Sequence, residues 1–221
     1  MKKIILFVTM LATIYADPVE DLKNDVVNTI STLHGWCTPE KALKFVDLVL
    51  KIEPDVCVEI GVFGGRSLYP VAATLKHLKK GVIVAIDAWD ENECIRYFEP
   101  IKDSHHIDWW TKININEIYK SYLNLISSRE LENQIITIRN SSERAANILG
   151  EIDLLHLDGN HGEIPSGKDV ALYLPKVRSG GYIWINDSLS YNIQPSIDVL
   201  LEACELIDTV DEGNCILFRK K

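Results

Sequence analysis

Asp55-Val-Cys-Val-Glu59-Ile60-Gly61-Val-Phe63-Gly64-Gly65 is an apolar run that stops at a cluster of glycines. A run this short, closed by glycine, suits a buried strand followed by a tight loop. Residues 67–78 then carry apolar positions at helical spacing, and Gly81-Val-Ile-Val-Ala-Ile86 is a second apolar run that ends in Asp87. About 27 residues separate Ile60 from Asp87, the length of a strand–helix–strand unit. The simplest reading is a parallel pair of strands joined by a crossover helix.

On the N-terminal side, residues 19–33 and 39–52 show helical spacing, the second opening on a Thr38-Pro39 cap. On the C-terminal side, residues 88–122 are polar and aromatic, with Trp89, His105, His106, Trp109 and Trp110. They read as a loop and a helix that reaches Ser127. Strands follow at 134–139, 152–157 and 181–186, with helices at 142–149 and 168–177 between them. A helix over 196–204 leads to strands at 206–210 and 215–219, joined by Asp211-Glu-Gly-Asn214, so the last strand runs antiparallel to the rest. This alternation predicts a three-layer α/β, Rossmann-like fold with a mostly parallel seven-stranded sheet.

The 221 residues are 47% apolar and 25% charged, ordinary for one globular domain. A net charge of −9 repels a nucleic-acid backbone and excludes that class of partner. Cys37, Cys57, Cys94, Cys204 and Cys215 are scattered and lack the close pairing of a zinc or redox motif. Lys2-Lys3, an uncharged stretch over 4–14 and Tyr15-Ala16 have the layout of a secretory signal peptide. The predicted organisation is a leader over residues 1–16 and one domain over 17–221. Ile14 occupies a position where signal peptidase sites usually carry a small residue, so an uncleaved anchor and a buried first helix remain alternatives. The uncharged stretch is short of the roughly 20 residues that span a bilayer, and no stable membrane association is expected once a leader is removed. Cleavage would make the protein exported or periplasmic, and an intact N-terminus would keep it cytoplasmic.

Ligands of open α/β sheets bind at the carboxyl ends of the strands, where the first glycine loop lies. Asp87 at the end of the second strand suits the diol of a ribose, so loop and acid together point to a nucleoside-bearing cofactor. The loop reads G-x-x-G-G with Phe63 at the position where NAD sites carry glycine, which makes an NAD-dependent oxidoreductase the lesser alternative. A plain tight turn with Asp87 as a helix cap is the structural alternative.

A second group converges on the same edge: Asp158-Gly-Asn-His161 after one strand and Asn186-Asp187-Ser188 after the next. Asp158, Asp187 and Asn186 offer oxygen ligands of the kind Mg2+ takes, and His161 is a candidate general base. Asp169, on the helix that follows, either orients His161 or occupies a first turn; the acids alone could equally be helix caps.

Glu59-Ile-Gly-Val-Phe-Gly-Gly-Arg-Ser67, Ala85-Ile-Asp-Ala-Trp89, Leu157-Asp-Gly-Asn-His161, Lys168-Asp-Val170 and Ser179-Gly-Gly-Tyr-Ile-Trp-Ile-Asn-Asp187 follow one another as in the class I S-adenosylmethionine-dependent methyltransferases. Over residues 39–221 the chain resembles their small-molecule branch, which includes macrocin-type sugar O-methyltransferases. The resemblance implies that Glu59, Gly61 and Gly64 face the methionine part of S-adenosylmethionine, that Asp87 holds its ribose, and that Ser141 and Ser142 flank its adenine. Asp158 is counted with both cofactor and metal. The resemblance further implies an Asp-x-x-His segment and paired acids that bind Mg2+ and deprotonate the acceptor; here Asn186 stands in place of the first paired acid. The expected function is methyl transfer, through oxygen, to a small-molecule acceptor, with self-association into a homo-oligomer left open. An exported, non-catalytic module with the same fold is the alternative from a different class.

Overall fold

A computed structural model describes residues 17–221, so the leader expected over 1–16 lies outside the described residues. In chain order the elements are α1 (Pro18–Ile30), α2 (Pro39–Ile52), β1 (Val56–Ile60), α3 (Leu68–Leu78) and β2 (Val82–Asp87). Then come α4 (Glu91–Ile95), α5 (Ser104–Lys112), α6 (Ile115–Ser128), β3 (Ile135–Arg139), α7 (Ser142–Ala145) and β4 (Ile152–Leu157). The chain closes with α8 (Glu163–Tyr173), β5 (Val177–Asn186), α9 (Gln194–Ala203), β6 (Cys204–Val210) and β7 (Cys215–Lys220). Among the described residues no helix is long and apolar enough to cross a membrane.

The strands form one seven-stranded sheet in the order β3-β2-β1-β4-β5-β7-β6. All neighbouring pairs are parallel except β5–β7 and β6–β7, so the antiparallel last strand and the three-layer α/β fold are as the sequence predicts. Because side chains alternate across a strand, each strand feeds two cores. Cys57, Leu154, Trp184 and Leu217 pack under α1, α2 and α3, whereas Val58, Ile60, Leu155, Leu157, Ile183 and Ile185 pack under α8 and α9. The same alternation puts Glu59, His156 and Asn186 on the α2 side at the carboxyl edge, with Glu59 paired to His156 and Asn186 to Cys215 in register.

Thr38 caps α2 by accepting from the Lys41 N–H, with Pro39 at its first position, and the helix spans the predicted residues. Two segments differ from expectation. The stretch after Asp87 forms three helices, α4, α5 and α6, where a loop and one helix are predicted; α5 buries no residue and so leaves no apolar period to read. Helix α8 starts at Glu163 and ends at Tyr173, five residues earlier than the spacing indicates at its start. Pro165 falls in its first turn, where no N–H is needed, and Pro175 lies in the short 3-10 turn that leads directly into β5. Strand β5 is correspondingly longer than predicted, and its pairing with β4 is irregular between Ile152 and Leu154.

Candidate active site

The strand order reverses direction between β1 and β4, and a cleft of about 510 Å3 opens there at the carboxyl ends. Gly61, Phe63, Asp87, Ser141, Ser142, Asp158 and His161 all line it. Gly61 is fixed by packing as well as by conformation. Its φ is 85°, and a Cβ there would lie 2.1 Å from the Asp158 carbonyl oxygen. The close approach is locked by Gly61 N–H donating to Ile86 O and Asp158 N–H to Ile60 O, each at 2.9 Å.

Asp87 ties the glycine loop to β2. Its Oδ2 accepts from the N–H groups of Val62 (3.0 Å) and Phe63 (2.9 Å), and Oδ1 accepts from Trp89 N–H at 2.8 Å. Burial pushes its carboxyl up against the downward pull of these three donors, and it ends above the ordinary carboxylate value. A carboxylate has about four acceptor positions, so Oδ2 is filled while Oδ1 has one left. The carboxylate therefore holds the loop and retains one open acceptor.

Glu59 and Gly64 sit elsewhere. Glu59 is fully buried beneath the loop, accepting from Ser67 Oγ at 2.5 Å and lying 3.5 Å from His156 Nδ1, and it does not line the cleft itself. At Gly64 a Cβ would fall 2.6 Å from His34 O, so packing on the preceding loop requires glycine there, and the residue does not line the cleft. At the β3 edge, Ser142 Oγ donates to Asp169 Oδ1 at 2.5 Å. Burial pushes the Asp169 carboxyl up to about 6, partly opposed by that bond. Asp169 thus serves Ser142 and not His161.

The partner of His161 is Asp187, with Nε2 to Oδ2 at 3.0 Å. Their attraction decides both ionisations. Burial lowers the His161 pKa, but the Asp187 hydrogen bond and charge outweigh it and the net shift is upward. The same hydrogen bond from His161 holds Asp187 below the ordinary value. In the neutral imidazole this bond puts the hydrogen on Nε2 and leaves the Nδ1 lone pair as the basic atom. Asp158, His161 and Asp187 bring one ligand atom each within 4.8 Å of one another.

Residues 58–188, more than half of the chain, match the methyltransferase domain family. The chain belongs to that family. With its fold, this makes the protein a class I, S-adenosylmethionine-dependent methyltransferase. Solved structures share the architecture at low identity. The O-methyltransferase NovP aligns with a TM-score of 0.69 at 13% identity, over 92% of this chain and 98% of its own. An O-methyltransferase from Bacillus cereus, in complex with S-adenosylhomocysteine, aligns at 0.61 and 13%, over 95% and 94%. TomG from Streptomyces achromogenes, in complex with S-adenosylmethionine, aligns at 0.59 and 13%, over 95% and 93%. A search of curated proteins gave no match.

Several residues of the methyltransferase site escape the sequence motifs. Lys41 on α2 is buried, and its Nζ donates to Asn186 Oδ1 at 2.7 Å and lies 3.6 Å from Asp158 Oδ2. Asn186 Oδ1 also meets His156 Nε2 and Cys215 Sγ, each at 3.3 Å. Burial works against the lysine charge, but the attraction of Asp158 and its neighbours prevails and the Lys41 pKa is raised. One signal was present in the sequence: Lys41 shares the apolar face of α2 with Phe45, Leu48 and Val49, where a lysine has no reason to be unless it is paired.

This network bears on Mg2+. Asn186, expected among the metal ligands, is turned to Lys41, and a cation sharing its oxygen would face the ammonium. Two positive charges, one of them divalent, repel by about 8 kcal/mol at roughly 4 Å and an effective dielectric constant of about 20. The Asp158 charge is already matched by Lys41, and Asp187 is engaged by His161. Asn186 therefore does not fit the part of metal ligand that the resemblance implies, and the remaining cluster of Asp158, His161 and Asp187 already carries ion pairs of its own.

The outer wall of the cleft is aromatic. Trp36, Phe63 and Trp110 line it, with ring centroids 5.3 Å apart for Trp36–Phe63 and 6.1 Å for Phe63–Trp110. Arg66 fixes the loop carrying Trp36 by donating to Cys37 O at 2.9 Å and Gly35 O at 3.1 Å. Trp89 is buried and holds Phe63 O through its indole N–H at 2.8 Å. Trp109 packs on Trp110 at 4.8 Å, outside the lining, so the two neighbouring tryptophans divide between packing and cleft wall.

Proposed function

We propose that this methyltransferase moves the methyl group of S-adenosylmethionine to a hydroxyl oxygen of a small-molecule acceptor, with His161 as general base. The observation that carries the reading is the His161–Asp187 pair opening into the same cleft as the Asp87-tied glycine loop. NovP, TomG and the Bacillus cereus protein are named as O-methyltransferases, and the latter two hold the cofactor or its demethylated product, which supports the choice of oxygen and of cofactor. The cleft volume falls within the range of sites for molecules of this size.

When bound, S-adenosylmethionine would supply a sulfonium-activated methyl carbon for an in-line displacement, the carbon–sulfur bond breaking as the oxygen–carbon bond forms, with S-adenosylhomocysteine as the leaving group. The open position on Asp87 Oδ1 takes a ribose hydroxyl, and Ser141 and Ser142 border the adenine end. The hydroxyl proton of the acceptor passes to His161 Nδ1 as its oxygen lone pair attacks. Asp187 then faces an imidazolium, whose charge it stabilises, and it fixes the ring so that the basic atom is presented. Trp36, Phe63 and Trp110 shield the acceptor from water and offer flat surfaces to it.

Incubation of the full chain with methyl-labelled S-adenosylmethionine and a panel of sugar and phenolic hydroxyl acceptors tests this. Labelled ether product, with turnover lowered about 100-fold or more in His161→Ala, is the expected result. Label bound to carbon of these acceptors and never to oxygen, or full turnover in His161→Ala, would contradict it.

A further inference from the structure

We propose that Lys41 is a built-in cation standing where a divalent metal would otherwise balance the acceptor edge, so that the site works without metal and Lys41 acts as a positioning residue. This rests on the reading of the cleft as the methyl-transfer site.

Asn186 and Asp158 end neighbouring parallel strands, β5 and β4, and their oxygens point at one buried ammonium. Lysine has donors only, so the amide oxygen of Asn186 is the atom that must face it. His156 Nε2 is the second nitrogen at this point, 3.3 Å from Asn186 Oδ1 and 3.7 Å from Asp158 Oδ2. Lys41 faces the Asp158 carboxylate, and the buried Glu59 carboxylate stands behind His156, 3.5 Å from its Nδ1, so this pocket already holds two acids and the neutral amide at position 186 adds no third. An aspartate there would leave an uncompensated charge in a buried pocket, which is costly. Lysine at 41 and asparagine at 186 are therefore two halves of one arrangement: the ammonium orients Asp158 beside the His161–Asp187 pair as a metal would, without needing to be loaded.

Lys41 does not line the cleft, so it acts through Asp158 and Asn186 rather than on the acceptor. Exchanging both halves should restore a cation site. In Lys41→Met/Asn186→Asp, the apolar replacement suits the neighbouring Phe45 ring, and the introduced carboxylate joins Asp158 around the position that the ammonium vacates.

The test is Mn2+ titration of the full chain followed by electron paramagnetic resonance, with S-adenosylmethionine binding measured by calorimetry on the same samples. The wild type should show no saturable Mn2+ binding up to millimolar concentration, and its cofactor binding should be unchanged by a chelator. Folded Lys41→Met/Asn186→Asp should bind Mn2+ roughly tenfold or more tightly than the wild type. Saturable Mn2+ binding to the wild type that is lost in Asp187→Asn would overturn the proposal, as would a folded double variant with no gain. If the double variant does not fold, the wild-type titration decides alone. Failure to bind S-adenosylmethionine would instead contradict the function proposed above, whatever the Mn2+ result.

Discussion

The two halves of the cleft are built from different materials. The half proposed for the cofactor is organised around backbone: Gly61 packed on the Asp158 carbonyl, and three backbone N–H groups gathered by the Asp87 side chain. The acceptor half is made of side chains that meet through space, His161 with Asp187 and Lys41 with Asn186 and Asp158. A backbone cradle tolerates little change because a bond or clash at one atom moves the whole loop. A side-chain pair can be cut singly, with its effect confined to chemistry.

Breaking the cofactor half should have the largest effect. Gly61→Ala forces a Cβ into the Asp158 carbonyl at a φ that side chains rarely adopt, and a loss of about 3 kcal/mol or more in denaturant unfolding is expected, together with loss of cofactor binding. A stable Gly61→Ala protein with normal binding would show that the strand ends are looser than this packing requires.

The next effect belongs to the acceptor half and reads out in pH. His161 must be neutral to accept a proton, and Asp187 raises its pKa, so turnover should climb with pH through an ionisation above the ordinary histidine value. In Asp187→Asn that limb should move to lower pH and the maximal rate should fall, with cofactor affinity kept. The pair also links to stability. The raised His161 contributes stability that is complete below its unfolded pKa and lost as pH rises through its folded one, whereas the lowered Asp187 contributes above its unfolded pKa and loses it in acid. An unmoved limb in Asp187→Asn would remove Asp187 from its role.

The smallest effect sharpens the boundary between the halves. Asp169 has a carboxyl raised to about 6, so its contribution is most favourable below its unfolded pKa and is lost as pH rises through 6. Asp169→Asn keeps an acceptor for Ser142 and should stabilise the protein by about 1–2 kcal/mol at pH 7, with a smaller gain at pH 5. Equal change at both pH values would mean that the buried charge is not the cause.

This division also explains what the sequence discloses. Strand β1, the glycine loop and Asp87 are legible because apolar runs and glycines report backbone directly, and their repetition predicts a mostly parallel seven-stranded sheet but not the order of its strands. The partner of His161 is not legible: Asp169 lies eight residues away on the following helix, yet Asp187, from another strand, is the one that reaches it. Spacing along a chain carries no information about which of two acids a fold will bring to a histidine. Lys41 is an intermediate case. Its place on the apolar face of α2 marks it as paired, but its partners appear only when β4 and β5 are laid side by side. Helices α4 and α5 left no trace because they bury no residue.

The most direct test of the account is calorimetric titration of the full chain with S-adenosylmethionine, beside Asp87→Ala. The account predicts saturable binding that weakens about 100-fold in the variant, because three N–H groups lose their acceptor and the ribose loses its own. No binding to well-folded wild-type protein, or equal binding to Asp87→Ala, would contradict it.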